Sequence, residues 1–190
     1  MRSLNRIGTR SVMLPLSADD IVEFHAARLL LLIKFSGTAG RIDGLTKMAK
    51  MDFFARYPDF FAAARLASDS GANTADAIDV TSRHSVESAM VRHHYGPWDK
   101  RYYQVLSVLE AKGLVAITKE GRSYQIALTN LGNEKAQMLA SRSSFVELVT
   151  RMKEIKTAFG SKSGNSIKNL IYELFDAEVA KRPRGEVIEP

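Results

Sequence analysis

Residues 100–140 read KRYYQVLSVLEAKGLVAITKEGRSYQIALTNLGNEKAQMLA, and the rest of the chain is organised around them. Apolar side chains at Tyr102, Tyr103, Val105, Leu106, Val108 and Leu109 recur at helical spacing, and Gly113 ends the helix. The run Leu114-Val115-Ala116-Ile117 follows, then the polar turn Lys119–Ser123 and a second run, Tyr124–Leu128. Two short β-prone runs about a glycine-containing turn predict a β-hairpin. Thr129-Asn130 supplies a cap for another helix, with Ala136, Met138 and Leu139 on its apolar side.

Helix, glycine, hairpin and helix in this order predict the second half of a winged helix-turn-helix domain, a mainly α fold carrying a small β-hairpin. Such an architecture positions nucleic acid or a partner protein and seldom performs chemistry.

Upstream, Ser17 with Asp19 and Asp20 predicts a helix start, and Ile21, Phe24, Ala27, Leu31 and Phe35 continue its stripe to Gly37. Gly37–Gly40 reads as a flexible turn. A second helix is expected over 45–56, stopped by Pro58, and a third from Asp59 to about Leu66. The small polar residues 68–80 read as an inserted loop, and 89–95 as an extended run broken by Gly96-Pro97. Helices are expected at 144–157 and 166–179, joined by a flexible Gly-Ser link at 160–164 and followed by a loose tail. The organisation is an N-terminal arm (1–16), a winged-helix domain (17–140), a helical C-terminal extension (141–180) and a flexible tail (181–190).

Bulk properties narrow the function. The 190 residues include 27 Lys and Arg against 21 Asp and Glu, a formal charge of +6 that favours phosphate-rich or acidic partners. The lack of cysteine removes disulfides, thiolate metal sites and thiol catalysis, and suits the cytoplasm. The basic N-terminus has no apolar core of signal-peptide length, and Leu29–Ile33 is far shorter than the roughly twenty residues of a membrane span. His93 and His94 are adjacent, so on a strand they face opposite sides, and His25 and His84 share no ligand spacing with them. No phosphate loop or nucleophile elbow is present. The expectation is a protein without catalytic residues, metal or cofactor.

Three blocks are similar to those of a narrower family: FHAARLLL leading into GRIDGLTKMAKMDFFARYP (24–31 and 40–58), VRHHYGPWD (91–99) and IKNLIYELF (167–175). They resemble the small winged-helix subunits of bacterial ABC three-component systems, including the accessory subunit of Lamassu-type anti-phage defence, over about residues 20–176. The hairpin and its LTNLG continuation resemble MarR- and PadR-type regulators. The first resemblance implies an adaptor that helps hold together a structural-maintenance-of-chromosomes-like ABC ATPase and a nuclease-type effector, with double-stranded DNA as a further partner. The rival reading is a stand-alone winged-helix transcription regulator.

Two sets of residues carry these readings. Arg92, His93, Lys100, Arg101, Gln104, Lys119 and Arg122 are the candidate DNA contacts, before and at the start of the helix over 102–112 and at the wing of the expected core. Met48, Met51, Phe53, Phe54, Phe60 and Phe61 exceed what one helix face buries, which predicts a partner interface. The stripe Ile167, Leu170, Ile171, Leu174 and Phe175 predicts a second docking surface, or a helix folded back over the first. Trp98 reads as packing for the start of a helix, and Asp52 with Arg56 as an i, i+4 pair on an outer face.

Overall fold

A computed structural model describes residues 21–70, 90–93, 96–121, 123–176, 179, 183–186 and 188. Its elements are α1 (Val22–Ser36), β1 (Arg41–Asp43), α2 (Leu45–Arg56), α3 (Pro58–Ser70), β2 (Val91–His93), β3 (Gly96–Trp98), α4 (Tyr102–Ala111), β4 (Val115–Glu120), β5 (Ser123–Leu128), α5 (Asn130–Ala140), α6 (Val146–Phe159) and α7 (Gly164–Leu174), with a 3₁₀ turn at Ser143–Phe145. The fold is mainly helical, with one three-stranded antiparallel sheet of order β1-β5-β4 and a separate β2-β3 pair.

The hairpin forms where its sequence places it. Val115 faces Leu128 and Glu120 faces Ser123, so the strands are joined across residues 121–122, and Gly121 takes the left-handed conformation at φ 58°. At its base Val115 and Ile126 enter the core, while its outer end is exposed. The Thr129 side chain accepts from the Gly132 amide at 3.0 Å and caps α5. Pro58 does more than stop α2: it opens α3, because its missing amide proton costs nothing in a first helical turn.

The third strand, β1, is an addition to the sequence reading. Thr38 and Arg41 exchange backbone hydrogen bonds of 2.8 and 3.0 Å, so residues 38–41 form a tight turn rather than a flexible one. It lays Arg41–Asp43 against Gln125–Ala127. The helix start at Ser17 and the loop over 71–80 lie outside the described residues; residues 68–70 belong to α3.

Helix α2 lies at the centre, in contact with α1, α3, α6, α7 and the strands β1, β3 and β5. Every residue from Met48 to Arg56 is therefore buried, whichever side of the helix it occupies. A helix surrounded by its own chain buries side chains on every side, charged ones included, and this corrects the partner-surface reading. Met48, Met51, Phe53 and Phe54 are fully enclosed, and Phe60 and Phe61 nearly so. Phe54 stacks on Phe159 of α6 with centroids 4.9 Å apart, and Phe60 meets Phe175 edge-on at 4.6 Å.

The α7 stripe is likewise internal: Ile167, Ile171 and Phe175 are buried, and Leu170 and Leu174 pack half-buried against the same core. Helix α7 folds onto α2, α3 and β3 rather than over α1. The Gly-Ser link that precedes it is a held turn. A Cβ on Gly164 would stand 2.8 Å from the Lys47 amide nitrogen, and Lys47 Nζ donates to the Gly160 carbonyl at 2.7 Å. Nor is the tail loose at Ile188, which is buried and donates its amide to the Met90 carbonyl at 2.7 Å. Among the described residues no helix is long and apolar enough to cross a membrane.

Candidate nucleic-acid interface

The start of α4, which shares a cleft with the β4-β5 hairpin, rests on a set of buried charges. Arg28 of α1 donates from Nε to Asp52 Oδ1 at 2.8 Å and from Nη2 to His25 Nδ1 at 2.9 Å. Asp52 Oδ2 accepts from the Tyr102 hydroxyl at 2.7 Å and lies 3.9 Å from Arg56 Nη1. Arg56 in turn donates to Asp99 Oδ2 at 3.0 Å. All of these groups are at most 7% exposed, so Asp52 and Arg56 pair inside the protein rather than on an outer face.

Charges removed from water are tolerated only with good geometry and opposite partners. Here each carboxylate meets at least one guanidinium, and the pattern ties α1 and α2 to the first turn of α4. Burial alone would raise the Asp99 carboxyl, but hydrogen bonds from Arg101 and the charges of Arg56 and Arg101 hold it well below the usual carboxylate range. Its contribution to stability is present above that range and fades as pH falls toward the depressed value. Burial, then the adjacent Asp52 charge, pushes the Tyr102 hydroxyl well above its ordinary value, so it remains a proton donor to Asp52.

Asp99 also fixes the entry into α4. Its Oδ1 accepts from the Arg101 amide and Nε, both at 2.9 Å, and its Oδ2 from Arg101 Nη2 at 2.7 Å. Trp98, 9% exposed, meets Tyr102 edge-on at 5.2 Å, the packing role expected for it. Gly96, at φ 92°, leaves room for Lys50 and Tyr172, whose nearest atoms would be 3.3 and 3.4 Å from an added Cβ.

Of the candidate DNA contacts, Lys100 and Gln104 are exposed at the start of α4, and Lys119 is exposed near the hairpin end. Arg101 is half-buried and its guanidinium is committed to Asp99, so it serves the fold more than a ligand. Arg92 and His93 lie on β2, paired with Pro97 and Gly96, and their side chains are outside the described ones, as is Arg122.

The sequence reading missed a cleft of about 420 Å³ between the start of α2, α4, β5 and the start of α7. Trp98, Tyr103 and Tyr124 line it together with Thr46, Lys47 and Asn165. Tyr103 is 61% and Tyr124 40% exposed. The available signal was that Tyr103 falls off the Tyr102, Val105, Leu106, Leu109 stripe that α4 buries. Exposed aromatic rings stack on bases or sugars; the one lysine of the cleft, Lys47, donates to the Gly160 carbonyl, and Asp43 lines the cleft beside it. Among the described residues no group of three or more His, Asp or Glu side chains is arranged to hold a metal ion.

Lys50 is a buried cation outside the carboxylate set. Its side chain is fully enclosed and Nζ donates to the Pro97 carbonyl at 2.9 Å. Burial, reinforced by repulsion from Lys168, pushes its pKa from 10.5 down to about 7. Between about 7 and 10.5 the unfolded chain therefore binds a proton that the folded chain does not, and stability rises with pH across that window. Lys50→Met is expected to flatten this rise, which amounts to a few kcal/mol. Urea unfolding at intervals across the window measures the slope; a variant as pH-dependent as wild type would show that Lys50 is not its source.

Compared with family models, curated proteins and solved structures, the chain matches none.

Proposed function

We propose that this chain is a non-catalytic winged-helix adaptor subunit of a structural-maintenance-of-chromosomes-like ATPase complex in bacterial anti-phage defence. It works in the cytoplasm, bridges the ATPase and a nuclease-type effector, and turns the α4–hairpin face toward double-stranded DNA. The observation that carries the reading is that face. Lys100, Gln104, Lys119 and the aromatic cleft are accessible there, on a helix start braced from below by Asp52 and Asp99. The net charge of +6 has the sign that a phosphate backbone attracts. The resemblance of residues 20–176 to three-component subunits supplies the adaptor role. The buried carboxylates and guanidiniums support it by being used up in mutual pairing, which gives them a part in holding α4 rather than in turning over a substrate.

Fluorescence anisotropy with a labelled duplex of about 30 base pairs, titrated at salt from about 50 to about 200 mM, tests the face. Lys100→Glu, Lys119→Glu and Arg122→Glu together should weaken binding more than about tenfold and make the salt dependence shallower by about three counterions. Arg101 stays intact because its loss would disturb Asp99. Unchanged affinity and slope in the triple variant would remove this face from the mechanism.

A further inference from the structure

The apolar side chains first read as docking groups are inside the protein, yet a different apolar surface is open. A groove of about 330 Å³ runs between α1, α4 and α5. Its floor includes Ala26, Leu30, Leu109, Leu114 and Leu139, and Met138 stands at its edge with 51% of its surface exposed. Three cations, Lys112, Lys135 and Arg142, rim it against a single acid, Glu23. Lys135 lies 3.6 Å from Glu134, whereas Lys112 and Arg142 meet no carboxylate within ion-pair distance among the described residues.

We infer that this groove docks an amphipathic helix of a partner protein, presenting aliphatic side chains to the floor and acidic side chains to the rim. Three helices that form an apolar trough are the surroundings in which a fourth helix buries its stripe. Methionine at the edge adapts to the shape of what enters. The charge pattern selects the occupant: three cations about an apolar floor favour flanking glutamates or aspartates. The same pattern disfavours a second copy of this chain, which would bring an identical cationic rim and another +6 into the contact. Nucleic acid suits the rim but leaves the apolar floor uncovered.

This inference rests on the adaptor reading for its biological sense, while its test needs only the isolated full chain. The probe is a fluorescein-labelled helical peptide of about 16 residues with leucine at i, i+3, i+4 and i+7 and glutamate on both flanks. It should bind the wild-type protein with saturable anisotropy. A version with lysine in place of glutamate should bind about tenfold more weakly or not at all, as should the acidic peptide on Met138→Glu or on Lys112→Glu with Arg142→Glu. These side chains are exposed, so the melting temperature should not move.

No binding of the acidic peptide, or binding indifferent to all three changes, overturns the inference. So does tighter peptide binding when Leu14 and Leu16 are changed to Glu, which would mark the N-terminal segment of the same chain as the occupant. Self-association abolished by Met138→Glu would assign the groove to a second copy, and loss of duplex binding in that variant without peptide binding would assign it to nucleic acid. Peptide failure alongside intact co-purification with the ATPase would reject the groove and leave the adaptor role standing.

Discussion

Asp52→Ala is expected to destabilise the fold by about 3–5 kcal/mol, because it leaves buried guanidinium charge without its carboxylate. Asp52 sits between Arg28 at 2.8 Å and Arg56 at 3.9 Å, and accepts from Tyr102 at 2.7 Å. None of the four side chains can turn to water without moving a helix, since all are at most 2% exposed. Arg56 retains Asp99, whereas the Tyr102 hydroxyl loses its acceptor, so part of the loss falls on the anchoring of α4. Urea unfolding should show a lower midpoint at unchanged slope. A loss below about 1 kcal/mol would mean that the ion pairs do not brace α4.

Phe159→Ala should cost a similar amount, about 3–5 kcal/mol, through lost transfer energy and the cavity left behind. Phe159 is fully buried at the end of α6, stacked on Phe54 with planes 23° apart and meeting Phe61 edge-on at 6.1 Å. Its ring joins the C-terminal helices to α2 and α3, so its removal loosens the part of the chain that reads from sequence as an appendage. Thermal unfolding of the isolated protein measures this directly. An unchanged melting temperature would mean that the Phe54 and Phe61 rings are not fixed by α6 and remain open to a partner.

What could be read in advance follows the range of the interactions involved. Gly113, the Lys119–Ser123 turn and the Thr129 cap act within a few residues, and each produced its element at the expected place. Strand β1 is only three residues long and exists because β5, far along the chain, offers it a ladder. No local pattern announces such a strand. The spacing of Asp52 and Arg56 identified a pair, but spacing alone does not say whether a pair faces water, and Asp99 and Arg28 come from other elements.

The surplus of Met and Phe was a correct count with the wrong explanation, because a helix enclosed by seven other elements looks like one with a face to spare. Gly160–Gly164 misled for a related reason. Gly164, which allows the close approach to Lys47, and Gly160, whose carbonyl accepts from Lys47 Nζ, have the composition of a linker. In the candidate site, Lys100, Gln104 and Lys119 were visible as exposed polar positions, whereas the cleft of Tyr103 and Tyr124 required the third dimension.

The proposed adaptor role is tested most directly by co-expressing this chain with the ATPase and effector subunits of the complex proposed for it, followed by size-exclusion chromatography. The account expects one peak containing all three proteins, and the loss of the effector from the ATPase when this chain is omitted. Elution of this chain alone, as a dimer that binds a palindromic promoter site, would contradict the account and establish the regulator in its place.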